Sequence, residues 1–245
     1  MTLVRTTTDD FRAYALDVHG RTPVVFGQPI DLVLTVSDPG GAPVHRFELV
    51  HERPFHLFVV SEDLAFFQHV HPALGADGRL SVTITLPRAG RYQLIADFVP
   101  EGALPQVVEH ALVTNGYGAP LARAHLAADG QLRCHIGGTV LELDSVTFTA
   151  GEAATRRLRV TDEKGVDVPI ERYLGAAAHV LAVDEALREA IHTHADRAPD
   201  GTLRLELLLP TAGTYRLWVQ VQRAGEVLTA PFTVTAVPRD AAFLR

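Results

Sequence analysis

The chain repeats itself. Displaced by 123 positions, residues 56–102 align with 179–225 without a gap, and 16 of the 47 aligned positions are identical. The matches fall where backbone geometry is demanding: Asp77-Gly78 with Asp200-Gly201, Pro87 with Pro210, Gly90 with Gly213, Tyr92 with Tyr215. Upstream the match continues after a one-residue shift, pairing Gly27 with Gly151, Val36 with Val160 and Gly41 with Gly165. A unit of this length is a whole domain, well beyond the period of about 20–50 residues that marks solenoids. The 245 residues therefore divide into two domains of ordinary size. The expected domains are 12–114 and 120–237, with Gly116 to Ala119 as a short linker.

Within each unit, short runs rich in Val, Leu, Ile and Thr alternate with turn residues, as in antiparallel strands. Strands are expected near 29–37, 55–61, 66–71, 79–86, 91–99 and 107–114, with counterparts near 154–162, 178–184, 190–194, 202–209, 214–222 and 227–236. Asp38-Pro39-Gly40-Gly41 supplies a tight turn, because Pro presets φ and Gly accepts a positive one. Residues 184–191 have helical propensity but hold the slot of residues 61–68 in the first unit, so at most one helical turn is expected there. The repeated Leu-x-x-x-Gly-x-Tyr, at Leu86, Gly90, Tyr92 and at Leu209, Gly213, Tyr215, has the form of a tyrosine corner. The fold class is thus all-β, two tandem immunoglobulin-like antiparallel β-sandwich domains made by internal duplication. Leu94 and Leu217 stand where antibody domains place a cysteine. Cys134 is the only cysteine, which excludes an intramolecular disulfide and a thiolate zinc cage; alone in a strand it reads as a small buried hydrophobe.

Charge removes other classes. Acidic residues outnumber basic ones 29 to 22, and no arginine cluster is interleaved with aromatics, so nucleic acid is set aside as a partner. Apolar stretches such as Leu207 to Pro210 are far shorter than the roughly 18 residues needed to span a bilayer. The start, Met1 to Phe11, lacks the apolar segment and small-residue cleavage site of a secretory signal, so a chain beginning here is expected in the cytoplasm.

Six of the twelve histidines fall at equivalent places, His56, His69 and His71 in the first unit and His179, His192 and His194 in the second. If 56–61 and 66–71 form a hairpin turning around Glu62-Asp63-Leu64, a register centred between 63 and 64 sets His56 opposite His71. His69 then shares their face, because strand side chains alternate with a period of two. Opposed Cβ atoms lie about 4.5–5.5 Å apart and diagonal ones about 7–8 Å, so three imidazoles can converge on one ion. The second unit repeats this around Ala186 and Leu187. A one-residue slip would turn His56 to the other face. Histidines in a hairpin can also simply hydrogen-bond to backbone or to each other, but three at one spacing, kept in two copies that differ at most positions, point to metal. Crowded imidazoles resist joint protonation and offer neutral nitrogen donors near neutral pH. Such a donor set suits Cu(II), Zn(II) or Ni(II), and with Met1 the only methionine a thioether Cu(I) site is not expected.

His51, His110 and His135 have no counterpart in the other unit and read as surface or loop residues. Asp97 and Glu101, after a strand near the triad end of the first unit, correspond to Gln220 and Ala224, so no shared carboxylate role is expected. Trp218 and Phe66 read as packing residues.

The string His56 to Leu64, followed by Phe67-Gln68-His69-Val70-His71-Pro72, and the stretches Asp77-Gly78 and Asp97-Phe98-x-Pro100-x-Gly102, resemble a bacterial family of two-domain β-sandwich proteins. Tyr173-Leu174-Gly175, His179 and His192-x-His194 resemble its second domain. The likeness covers most of residues 25–235. Members of that family are often secreted or associated with heavy metals. The resemblance implies a periplasmic or extracellular metal-handling role, most of all with copper, akin to small YtkA-like or CopC-like Ig-fold modules. The family pattern has His-x-His-Pro in both halves, whereas this chain has His194-Ala195-Asp196, so the likeness carries the first triad further than the second.

The leading expectation is a non-enzymatic protein that buffers or delivers Cu(II) or Zn(II) through one or both triads. The alternative is an interaction module with structural histidines, no metal and a protein partner. A metal-dependent hydrolase would need a general base beside the bound water. The only acidic residues shared near the triads, Glu62 and Glu185, lie in the hairpin turns.

Overall fold

A computed structural model describes residues 13–20, 23–118, 126 and 131–239. The expected limits at 12 and 120, the segment Met1 to Phe11 and Ala119 lie outside the described residues. The chain divides into two compact units, Met1–Ser61 with Gln68–Pro120, and Glu62–Phe67 with Leu121–Arg245. Residues 62–67, at the tip of the first hairpin, thus group with the second unit rather than with 12–114.

The first domain holds β1 (Ala15–Gly20), β2 (Pro29–Ser37), β3 (Phe55–Ser61), β4 (Phe67–Val70), β5 (Ala73–Leu74), β6 (Leu80–Thr85), β7 (Arg91–Phe98) and β8 (Gln106–Val113). The second holds β9 (Arg133–Ile136), β10 (Thr139–Leu143), β11 (Thr147–Thr149), β12 (Ala153–Asp162), β13 (Ala178–Asp184), β14 (Ala190–Arg197), β15 (Leu203–Leu208), β16 (Gly213–Arg223) and β17 (Glu226–Val237). The first domain forms two four-stranded sheets, ordered β1-β2-β6-β5 and β4-β3-β7-β8. That is an immunoglobulin-like sandwich. In the second domain the strands run β11-β17-β16-β13-β14-β15-β12-β10-β9 as one continuous ribbon of nine.

One residue accounts for the difference. Pro72 sits between β4 and β5, has no N–H to give a ladder and divides the strand. Its counterpart is Ala195, which pairs with both Ala178 of β13 and Leu205 of β15, so β14 passes unbroken from one sheet to the other.

Alternation explains which faces are buried. Along β2, Ile30, Leu32, Leu34 and Val36 point inward, and along β15 Leu203, Leu205 and Leu207 do so. In the first core Phe55 stacks on Phe98 at 5.0 Å between ring centroids. Each such side chain contributes about 1.5–3 kcal/mol on full burial.

The repeated sequence signals have the same geometry in both domains. Gly41 N–H donates to Asp38 O and Gly165 N–H to Asp162 O, with φ of 86° and 81°. Tyr92 Oη donates to Arg88 O at 2.9 Å and Tyr215 Oη lies 3.0 Å from Thr211 O, so both tyrosine corners are present.

Residues 184–191 form no helical turn, within the expected limit of one: the buried Asp184 carboxylate accepts the N–H groups of Ala186, Arg188 and Glu189 and ties the segment into a hairpin loop. Strands β1, β10 and β11 precede the aligned part of each repeat and were not expected.

Candidate metal centre

Both triads are built on strands whose opposite face is core. Phe55, Leu57 and Val59 of β3 pair with Phe98, Ala96 and Leu94 of β7. Their neighbours His56, Phe58 and Val60 therefore take the other face. In β13, Ala178, Val180 and Ala182 belong to the second core, which turns His179, Leu181 and Val183 outward from it. The hairpins turn where expected, with Leu64 and Leu187 in the left-handed region at φ of 56° and 55°. In the second hairpin His179 lies directly opposite His194, and Val183 opposite Ala190, the register that the sequence spacing implies.

One ligand atom each from His56, His69 and His71 lies within 4.8 Å of the others, and the same holds for His179, His192 and His194. His56 Nδ1 lies 3.1 Å from His69 Nε2, and His179 Nδ1 lies 3.3 Å from His192 Nε2. Two nitrogens bound to one tetrahedral ion at about 2.0–2.1 Å would be about 3.3 Å apart, so these pairs already stand at ligand spacing. The third ring closes each cluster, with centroid separations from His71 of 5.0 and 4.6 Å and from His194 of 4.4 and 4.5 Å. His56 and His179 are each 1% exposed, and the other four are half-buried.

A backbone carbonyl sets the tautomer of each buried histidine. His56 Nε2 lies 3.0 Å from Val50 O, and His179 Nε2 lies 2.9 Å from Tyr173 O. A carbonyl only accepts, so Nε2 carries the proton and the Nδ1 lone pair is aimed at the cluster. A carbonyl bonded to the far nitrogen of a metal-binding imidazole is the usual means of orienting it.

Each of these carbonyls comes from a tight turn of the same shape. Val50 and Arg53 exchange two backbone hydrogen bonds, as do Tyr173 and Ala176. The intervening residues have positive φ, 49° and 65° at His51 and Glu52, and 48° and 76° at Leu174 and Gly175. This is the type I′ pattern. His51 thus belongs to the turn that orients His56, a role that sequence reasoning missed because neither His51 nor Glu52 advertises such a turn. Gly175 was the one signal that could have found it.

Rings are further held by packing. His69 stacks on Phe58 at 4.2 Å, and Tyr173 meets His179 edge-on at 5.2 Å. Burial pushes the His56 imidazole below its ordinary value of 6.5, against the opposing pull of the Val50 carbonyl and Asp97. Asp97 lies within β7, directly opposite His56. Burial raises its carboxyl above 3.8. The second domain has the buried Gln220 at the equivalent position, opposite His179 and bonded to Thr229. Glu101 pairs instead with Arg46 at 3.5 Å. His110 lies in β8, His135 is exposed, and the Cys134 thiol, raised by burial, packs against the second core.

The family described as Domain of unknown function (DUF8832) matches residues 6–114 and again 134–238. The chain belongs to this family. Its two copies of the DUF8832 domain coincide with the sequence repeat. No curated protein matches the chain. Among solved structures it is similar to the Escherichia coli adhesin FdeC, at 15% identity over 97% of this chain and 67% of that one, with a TM-score of 0.30. It is also similar to invasin, described as a bacterial integrin-binding protein, at 17% identity, 90% and 39% coverage and a TM-score of 0.25. A third is the fibronectin(III)-like modules of Clostridium thermocellum CbhA, at 14% identity, 91% and 95% coverage and a TM-score of 0.26. The chain thus spans only part of the adhesin chains. No helix among the described residues is long and apolar enough to cross a membrane.

Proposed function

We propose that this DUF8832 protein is a non-enzymatic metal-binding protein that buffers or delivers a divalent cation, Cu(II) or Zn(II), through its histidine triads. The observation that carries this reading is the anchored first histidine of each triad. Its Nε2 is tied to a backbone carbonyl while its Nδ1 stands 3.1 or 3.3 Å from the next imidazole. The arrangement occurs twice, in copies identical at only 16 of 47 aligned positions. Neutral imidazole nitrogens in a three-donor face suit Cu(II) and Zn(II). The chemistry such an ion supplies here is ligand binding alone, and the residues that would hold it are His56, His69 and His71, and His179, His192 and His194.

A second reading rests on one of the same distances. A separation of 3.1 Å is also the length of an imidazole-to-imidazole hydrogen bond, with His69 Nε2–H donating to His56 Nδ1. In that case the triads are structural and the domains serve to bind a protein partner. Metal analysis of untagged protein, followed by titration with Zn(II) and Cu(II), separates the two. The metal reading expects up to two ions per chain, one lost in His69→Ala and one in His192→Ala. No binding of either ion at neutral pH refutes it.

A further inference from the structure

The two triads are alike in donors, in anchoring and in spacing, but not in the side chain facing the first histidine. Asp97 stands directly across from His56, where Gln220 stands across from His179. Directly opposed side chains share a face, with Cβ atoms about 4.5–5.5 Å apart. The Asp97 carboxylate is not among the atoms that form the three-nitrogen cluster. It is a neighbour of the ligand His56, placed to act through charge.

We infer that Asp97 divides the labour between the triads, making the first a tight site for a divalent cation and leaving the second, with neutral Gln220, a weak one. This rests on the metal-binding reading above. A dication bound to three neutral imidazoles places two positive charges in a half-buried pocket, where a nearby carboxylate offsets them far better than in water. Other charged groups near His56 are His51 and Arg53, whose counterparts are Leu174 and Ala176. Arg53 is exposed and screened by solvent. Asp97 is half-buried, and its pull on His56 exceeds the push of either. Asp97 thus gives the first triad a half-buried carboxylate at the position where the second triad has the uncharged amide of Gln220.

The test uses the full chain with one triad disabled at a time, His192→Ala and His194→Ala leaving the first, His69→Ala and His71→Ala leaving the second. Zn(II) affinity is measured by competition with a chelating dye. The first triad is expected to bind about 10- to 100-fold more tightly, the range over which groups bonded to or beside ligands tune metal sites. Asp97→Asn should remove most of that advantage, Asp97→Glu should keep most of it, and Gln220→Asp should tighten the second triad. The advantage should also shrink as ionic strength rises, which a purely structural role for Asp97 would not produce. Equal affinities of the two triads, or an Asp97→Asn variant that folds and binds like its parent, overturn the inference while leaving the metal reading intact. Absence of Zn(II) binding at both triads overturns both.

Discussion

Removing the two tyrosine-corner hydroxyls should cost the two domains unequally. Tyr92→Phe deletes the bond from the hydroxyl to Arg88 O. A single neutral bond contributes about 1 kcal/mol net. Tyr215 has a richer set of neighbours: Thr211 O, the Thr211 N–H and hydroxyl, and the Glu189 carboxylate. A phenol has one proton, and the carboxylate competes for it better than the carbonyl does, so the lost bond is a charge-assisted one of about 1.5–3 kcal/mol. The Thr211 N–H loses its acceptor as well, while the Thr211 hydroxyl keeps the Glu189 carboxylate. Tyr215→Phe should therefore cost about 2–3 kcal/mol, against about 1 for Tyr92→Phe. For domains of this size that is a fall in Tm of about 4–8 °C in the first domain and roughly two to three times that in the second. Trp218 is the only tryptophan and lies in β16, so its fluorescence follows the second domain, while circular dichroism follows both. Burial and the Glu189 bond raise the Tyr215 phenol above its ordinary 10.0. That part of the stability is complete below 10.0 and disappears as pH rises through the folded-state value. Equal losses for the two variants, or a larger loss for Tyr92→Phe, would refute the account.

Three further outcomes follow from the same geometry. Because burial lowers His56 below 6.5, the folded state binds fewer protons than the unfolded chain between the lowered value and 6.5. Metal-free stability should be complete above 6.5 and decline as pH falls from 6.5 toward the lowered value, a slope that denaturant midpoints will show and that His56→Gln should flatten. Gly175 holds φ at 76° in the turn that presents Tyr173 O to His179, so Gly175→Val should cost about 1–2 kcal/mol and weaken Zn(II) binding at the second triad alone, read by titration against the first. Cys134→Ser should leave metal content unchanged, since the thiol packs against the second core and is far in sequence and strand position from both triads; a lost ion in metal analysis would contradict this.

The features written twice were legible in the sequence. The paired turns at Leu64 and Leu187, and the corners at Tyr92 and Tyr215, follow from local rules that any β-sandwich must obey. The spacing of His56, His69 and His71 fixed a face because strand alternation leaves little choice once the turn is placed. What escaped notice depended on backbone conformations that residue types do not announce. Val50 O reaches His56 only because His51 and Glu52 adopt positive φ, and neither is a usual turn residue. Nor did helical propensity at 184–191 reveal that the Asp184 side chain would claim the backbone N–H groups a helix needs. Asp97 was noticed, but its place directly opposite His56 depends on the pairing of β3 with β7, which the sequence repeat does not register.

The break at Pro72 also decides where the molecule is exposed to unwanted self-association. A sheet that ends in an open strand offers unpaired backbone groups to any passing chain. Among the described residues, the two sheets of the first domain end at β1, β5, β4 and β8, whereas the unbroken β14 leaves the second with ends at β11 and β9. Strand-on-strand aggregation therefore begins in the first domain, and the shortness of β5, two residues, is its main protection.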